Sequence, residues 1–292
     1  MTSPTPGVPS ESLPSTPQIR VGGSHERLAA AHVQVSQLLL LPAVLFILFV
    51  IVPLGALVYR ATESGQLLDS IRQPVVHDAL RISVTTSVLS LAIIIVLGTP
   101  LAYLLARTRF PGKRLVDTLI DLPMVLPPVV AGVALLMAFG RRGIFGDMLS
   151  GAGIDVAFTA RAVVAAQIFV ACPFYIRAAR VGFQSVDESL VEAAAIDGAS
   201  PLSAFRHIML PLALPAVTSG MVLCWARALS EFGATMMFAG NLRGTTQTMS
   251  LAIMTSMESN LYTALGISVI LLAVSFIALM AFRALTRDGV RL

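Results

Sequence analysis

The sequence predicts an all-α polytopic membrane protein with about six transmembrane helices, and three observations carry that prediction. Of 292 residues, 56% are hydrophobic and only 12% are charged, a composition too apolar for an ordinary soluble domain. Charge-free runs of about twenty residues recur along the chain, each long enough to cross a bilayer. Between two of them lies one polar interruption, Glu192–Pro211 (EAAAIDGASPLSAFRHIMLP), where the chain could have continued as span. The net charge of +4 comes from Lys and Arg scattered in ones to threes between apolar runs, which suits orientation in a membrane rather than a nucleic-acid surface.

Residues 1–36 are rich in Pro, Ser, Thr and Gly, with little that could form a core; they predict a disordered tail, leaving 37–292 as one transmembrane domain. The tail has few basic residues and no small-residue cleavage pattern, so it does not read as a cleaved signal peptide. Leu38–Val58 has 21 residues and no charge, enough for roughly 31 Å of helix. The further spans expected are Leu80–Ala106, Leu119–Phe139, Ala162–Val181, Leu212–Phe238 and Thr263–Phe282. Pro123, Pro127, Pro128 and Gly132 crowd the third, where missing backbone donors must kink or break the helix. Neighbouring protein or water must then satisfy the freed carbonyls, so this span is expected to face other helices. With the N-terminus inside, twelve Lys and Arg fall on cytoplasmic segments and seven on the opposite ones, a moderate bias for a cytoplasmic N-terminus.

The polar interruption has its own local logic. Asp187 and Ser189 can cap a first helix that Gly198 ends, because Gly tolerates the left-handed conformation of a helix terminus. Ser200 and Pro201 fit N-cap and first helical position of a second helix, with Arg206 and His207 in its last turn, where the dipole favours positive charge. Leu202, Phe205 and Met209 share helical spacing and predict a small apolar knob that wants a groove. The alternative is a hairpin that merely joins two spans.

No chemistry of its own stands out. Gly112-Lys113 is the only Gly-Lys pair, and Arg107 stands where a phosphate-cradling GxxxxGK loop needs its first glycine. His25, His32, His77 and His207 are dispersed, and Cys172 and Cys224 sit singly in apolar stretches as buried thiols. No nucleophile and base are paired in the spans, so no enzyme, metal or resident cofactor is expected. The other informative stretch is Arg227–Thr248. There Arg227 and Glu231, spaced i, i+4, form an ionisable pair in apolar surroundings, read either as a gate or as a local ion pair fixing a helix near the outer interface. Gly233, Thr235, Gly240, Asn241, Gly244, Thr245, Thr246, Gln247 and Thr248 follow. Neutral donors of this kind suit a hydrated oxyanion that must pass without being trapped. For each residue singly, ordinary loop chemistry is the alternative.

The spacing of Glu192, Ala193, Ala194, Gly198, Ile208, Leu210 and Pro211 resembles the EAA loop of the membrane subunits of bacterial ABC importers. SEFGATMMFAGN followed by TQT, LPMVLPPVVAG at Leu122–Gly132 and FGRRGIFG at Phe139–Gly146 are similar to segments of the molybdate/tungstate branch of the oxyanion permeases. The similarity covers roughly Leu80–Thr255 and departs at Ser230 and at Leu242-Arg243-Gly244. It implies a multi-pass subunit of the inner membrane, two copies of which enclose a path for molybdate or tungstate. It also implies two copies of a separate ATPase subunit, which binds the ATP, and an extracytoplasmic binding protein that delivers the anion. On the resemblance Glu192, Ala193, Gly198, Ile208 and Pro211 shape a cytoplasmic coupling loop between spans four and five, and Leu202 and Phe205 fill the ATPase groove. Arg227, Glu231, Gly233, Thr235, Pro127 and Pro128 belong to the path or its gate. A permease for sulfate, phosphate or another small anion is one alternative. A channel or proton-coupled carrier using Glu231 is another, against which stand the lack of inverted repeats and the full EAA spacing.

Overall fold

The structure, a computed structural model, describes residues 22–63, 65 and 67–289. Among these residues the regular structure is entirely helical. In chain order the helices are α1 (Gly22–Glu63), α2 (Leu67–Ile71), α3 (Pro74–Arg107), α4 (Lys113–Val125), α5 (Pro128–Phe139), α6 (Gly146–Gly151) and α7 (Ala160–Gln184). They continue with α8 (Glu188–Ile196), α9 (Pro201–Ala204), a π turn (Phe205–Met209), α10 (Leu210–Leu229), α11 (Gly233–Ala239), α12 (Met249–Ser259) and α13 (Leu261–Gly289). The contacts divide the chain into two compact units, Met1–Ala56 and Leu57–Leu292.

In the first unit α1 already begins at Gly22, so residues 22–36 are helical where a disordered tail is expected; residues 1–21 of that tail lie outside the described residues. Glu26, Arg27, Leu28 and the three alanines after them are good helix formers that lead directly into the apolar run. From Leu39 to Ala56 the side chains of α1 are exposed, as befits a surface whose solvent is lipid.

The second unit is built around α7, which is buried along most of its length and packs on α3 and α10. Small residues set that packing. A Cβ on Gly182 would lie 2.7 Å from the Ala216 methyl, and one on Gly220 2.7 Å from that of Ala178; without hydrophobic drive between helices in lipid, such close approach is what holds them. Polar pairs add to it: Ser90 donates to the Gln167 side-chain carbonyl at 2.9 Å, and Thr99 shares a hydrogen bond with the Tyr175 hydroxyl. A second apolar cluster joins α5, α7 and α11 through Ala131, Leu135, Val163, Ala166 and Phe238. A third joins the start of α3 to α12 and α13 through Val76, Ala79, Met249, Ala252 and Ile267.

Four helices match their expected spans closely: α1 from Leu39, α3, α7 and α13 to Phe282. The third expected span is not one rod. It breaks at Leu126–Pro127 into α4 and α5, which meet at 118°. Pro127 and Pro128 bring no N–H to a helix ladder, and Pro128 fits the first position of a new helix, where none is needed. The fifth differs at both ends. It starts at Pro201 rather than Leu212, and it stops at Leu229 rather than near Phe238. Pro211 cannot donate to the carbonyl of His207, and the chain absorbs the missing bond as a π turn, with Leu210 N–H bonded to the Phe205 carbonyl, instead of ending there. The second short helix, expected to have Arg206 and His207 in its last turn, therefore runs on into the fifth span.

Candidate coupling loop and translocation site

The polar interruption folds as its residues dictate. Asp187 caps α8 by accepting the Ser189 N–H at 3.0 Å, and this hydrogen bond holds its carboxyl below the usual carboxylate range. At the other end Gly198 takes φ +85°, while Gly198 N–H bonds the Ala195 carbonyl and Ala199 N–H the Ala194 carbonyl. That pair of bonds is a Schellman stop. A Cβ on Gly198 would touch nothing within 4 Å, so its requirement for glycine is conformational, not steric. Ser200 caps α9 by accepting the Ser203 N–H at 3.3 Å, with Pro201 first in the helix.

No residue of α8 is buried; Glu192 and Ala193 are exposed, Ile196 is 85% exposed and Leu202 74%. The apolar knob is smaller than the spacing suggests. Met209 is buried, and Phe205 turns inward, edge-on to Tyr103 with centroids 5.3 Å apart and tilted against Phe183 at 5.8 Å. The role of groove filler expected for Phe205 therefore does not match its position. The π turn rotates it onto the α3–α7 seam, leaving Leu202 and Ile196 outward. Ile208 is half-buried and Pro211 exposed.

Ion pairs hold the same end of the bundle. Arg177 makes a two-pronged pair with Asp121 (2.6 Å each), Arg180 pairs with Asp117 at 2.5 Å, and Arg107 donates to the Val186 carbonyl. Sequence reasoning missed these partners, although Asp117 and Asp121 at i, i+4 and Arg177 and Arg180 at i, i+3 each mark a charged helix face. Near the start of α3, Arg243 lies 3.9 Å from Asp78, and Gln73 bonds Thr263.

The second site forms where two helix breaks meet. After α10 stops at Leu229, Glu231 is 1% exposed and bridges the gap: one carboxylate oxygen lies 2.7 Å from the Arg227 guanidinium, and the other accepts the Ala234 N–H at 2.8 Å. The i, i+4 pair thus exists, but it ties the end of one helix to the start of the next rather than lying on one helix face. Gly233 and Gly132 let α11 sit directly on the break in the third span. A Cβ on Gly233 would come 2.6 Å from that of Pro128, and one on Gly132 2.7 Å from the Ala234 carbonyl oxygen. So Pro127, Pro128, Arg227, Glu231, Gly233 and Thr235 come together. Thr235 is fully buried, and its hydroxyl has no hydrogen-bond partner among the described residues. The downstream neutral donors serve the loop: Thr246 accepts the Leu242 N–H, Asn241 donates to Thr255, and the Leu242 carbonyl accepts three backbone N–H groups.

A helical membrane body with an exposed, rigidly capped loop at one end and a buried meeting of two broken helices defines a polytopic membrane permease. Residues 98–288 match the model of the binding-protein-dependent transport system inner membrane component, and the chain belongs to that family. It is 40% identical over 249 residues to the molybdenum transport system permease protein ModB of Mycobacterium tuberculosis, covering 85% of this chain and 94% of that one. It is 36% identical over 198 residues to a probable sulfate transport system permease protein cysT of Helicosporidium, covering 67% and 73%. Among solved structures it resembles a bacterial ABC transporter involved in alginate import, with a TM-score of 0.71 at 17% identity over 90% of this chain and 98% of that one. That likeness shows the fold.

Proposed function

We propose that this chain is the permease subunit of an ATP-driven importer that carries molybdate, or tungstate, across the cell membrane. The observation that carries the mechanism is the continuity of Pro201–Leu229: 29 residues form one helix, about 44 Å at 1.5 Å per residue. One end carries the exposed loop and the other ends beside Glu231. A push on α8 and α9 is delivered along this helix, and through Phe205 onto α3 and α7.

The chain works as one of two copies, with its N-terminus and α8 in the cytoplasm. A dimeric ATPase partner binds and hydrolyses ATP; an extracytoplasmic binding protein supplies the anion. Glu192, Ala193, Gly198, Ile208 and Pro211 fix the loop's shape, and Leu202 with Ile196 enters the ATPase groove. Closure of the ATPase dimer moves the helix, and the breaks at Pro127–Pro128 and Ser230–Gly233 shift against each other to open the path. Arg227 and Glu231 cancel each other's charge and tie α10 to α11 across the second break; Thr235 offers a neutral donor for an anion that must not be trapped. The molybdate assignment is supported by the 40% identity to ModB over most of both chains. The sulfate relative keeps sulfate as the second reading.

The test is uptake of labelled molybdate into vesicles holding this subunit, its ATPase and its binding protein. Uptake that needs ATP and all three components and resists excess sulfate is expected. Strong inhibition by sulfate would shift the substrate, and uptake without ATP would overturn the importer reading.

A further inference from the structure

The charges at the start of α4 are not all used by the fold. Asp117 is taken by Arg180 at 2.5 Å and Asp121 by Arg177, so the acids of this helix are neutralised by α7. Arg109, Lys113 and Arg114 remain, and they line one groove with Asp117 and Arg180. Among the described residues neither Arg109 nor Arg114 makes an ion pair. The Lys113 ammonium donates to the Thr108 carbonyl at 3.0 Å, which holds it over the loop, and among the described residues it too makes no ion pair. Three unneutralised cations around one concavity make an anion site.

The rest of α4 says what kind of anion. Leu115, Leu119 and Leu122 stand at i, i+4, i+7, and all three are exposed, at 63%, 56% and 45%. Asp117 and Asp121 lie on the opposite face, locked to the last turns of α7. The helix therefore carries an open apolar stripe leading away from the basic groove, at the end of the bundle where α3 finishes and α7 meets the loop. A basic cluster beside an apolar stripe matches a molecule with a phosphate at one end and hydrocarbon at the other. A small inorganic anion would use the cations alone, whereas the stripe places them beside hydrocarbon.

From this we infer that the groove formed by Arg109, Lys113 and Arg114 is a binding site for the phosphate of an anionic phospholipid, whose acyl chains lie along Leu115, Leu119 and Leu122. The inference needs only the membrane fold and not the identity of the transported anion. Its test is native mass spectrometry of the full chain with phosphatidylglycerol or phosphatidylcholine, repeated for two double variants. One is Arg109→Ala with Arg114→Ala; the other, Arg141→Ala with Arg142→Ala, removes the same charge at the far end. Each juxtamembrane cation contributes roughly five-fold to anionic lipid binding, so preferential phosphatidylglycerol retention should fall about twenty-five-fold in the first variant and stay near wild type in the second. Leu119→Ser should weaken retention while the three cations remain. Equal losses in both double variants, or no preference for phosphatidylglycerol, would overturn the site. Millimolar inorganic phosphate that displaces the lipid fully, with Leu119→Ser without effect, would overturn the lipid in favour of a free anion.

Discussion

The loop at Asp187–Pro211 and the paired breaks around Glu231 are both interruptions of membrane helices, yet they are stabilised in opposite ways. The loop is closed by bonds between residues a few positions apart, and a Cβ added at Gly198 would meet open space. The breaks are closed by residues distant in sequence: Gly233 against Pro128, Gly132 against Ala234. A segment stabilised from within can leave its outer face free for another subunit. A segment stabilised by its neighbours moves only when they move. That contrast is what a device needs if it takes a push at one end and opens at the other.

Substitutions should separate the two regions by the kind of damage they do. The largest effect is expected from Glu231→Ala, which leaves the Arg227 guanidinium without its partner and removes the acceptor of the Ala234 N–H. With Arg227 still 27% exposed, the loss should be about 2–3 kcal/mol, read as a lower unfolding midpoint in detergent; Glu231→Gln should lose less. An unchanged midpoint for Glu231→Ala would mean that the bridge does not hold α10 to α11. Next comes Gly132→Val, which must push α11 away from α5 and should cost roughly 1–3 kcal/mol. The same change at Gly198 has no clash to make and only forces a branched residue into a left-handed conformation, for about 1–2 kcal/mol confined to the loop. Its unfolding midpoint should therefore stay closer to wild type than that of Gly132→Val, and the reverse order would erase the distinction drawn here.

The smallest effect is a matter of pH. The Asp187 carboxyl is depressed by the Ser189 N–H, so its capping contribution is present above the ordinary aspartate range and fades as pH falls through the depressed value. Hydrogen-exchange protection at the start of α8, relative to the intrinsic rate at each pH, should fall on acidification. Asp187→Ala should show the lowered protection at neutral pH and no further change. A parent protein with no acid response would remove the cap from the account.

The same contrast explains what could be read from the sequence. The caps at Asp187 and Ser200 and the stop at Gly198 were legible because each depends on neighbours within five positions. The positions of four of the spans were legible from apolar length. The inward turn of Phe205 was not, because it follows from the π turn that accommodates Pro211 and from a seam supplied by Tyr103 and Phe183, far away in the chain. Likewise the prolines at 127 and 128 announced a break, but its 118° angle goes with the packing of α5 on α11 and of α4 on α7, both distant in the chain. The pair Arg227 and Glu231 was visible as a spacing. That Glu231 stands beyond the helix, capping the next one, depends on where α10 stops.

The most direct measurement is the number of anions imported per ATP hydrolysed, in vesicles containing the complete transporter, for the parent chain and for Gly198→Val. If the loop drives the buried breaks through the continuous Pro201–Leu229 helix, the variant should remain folded, keep hydrolysing ATP and import several-fold fewer anions per ATP. A ratio equal to that of the parent chain would contradict the loop's role in coupling.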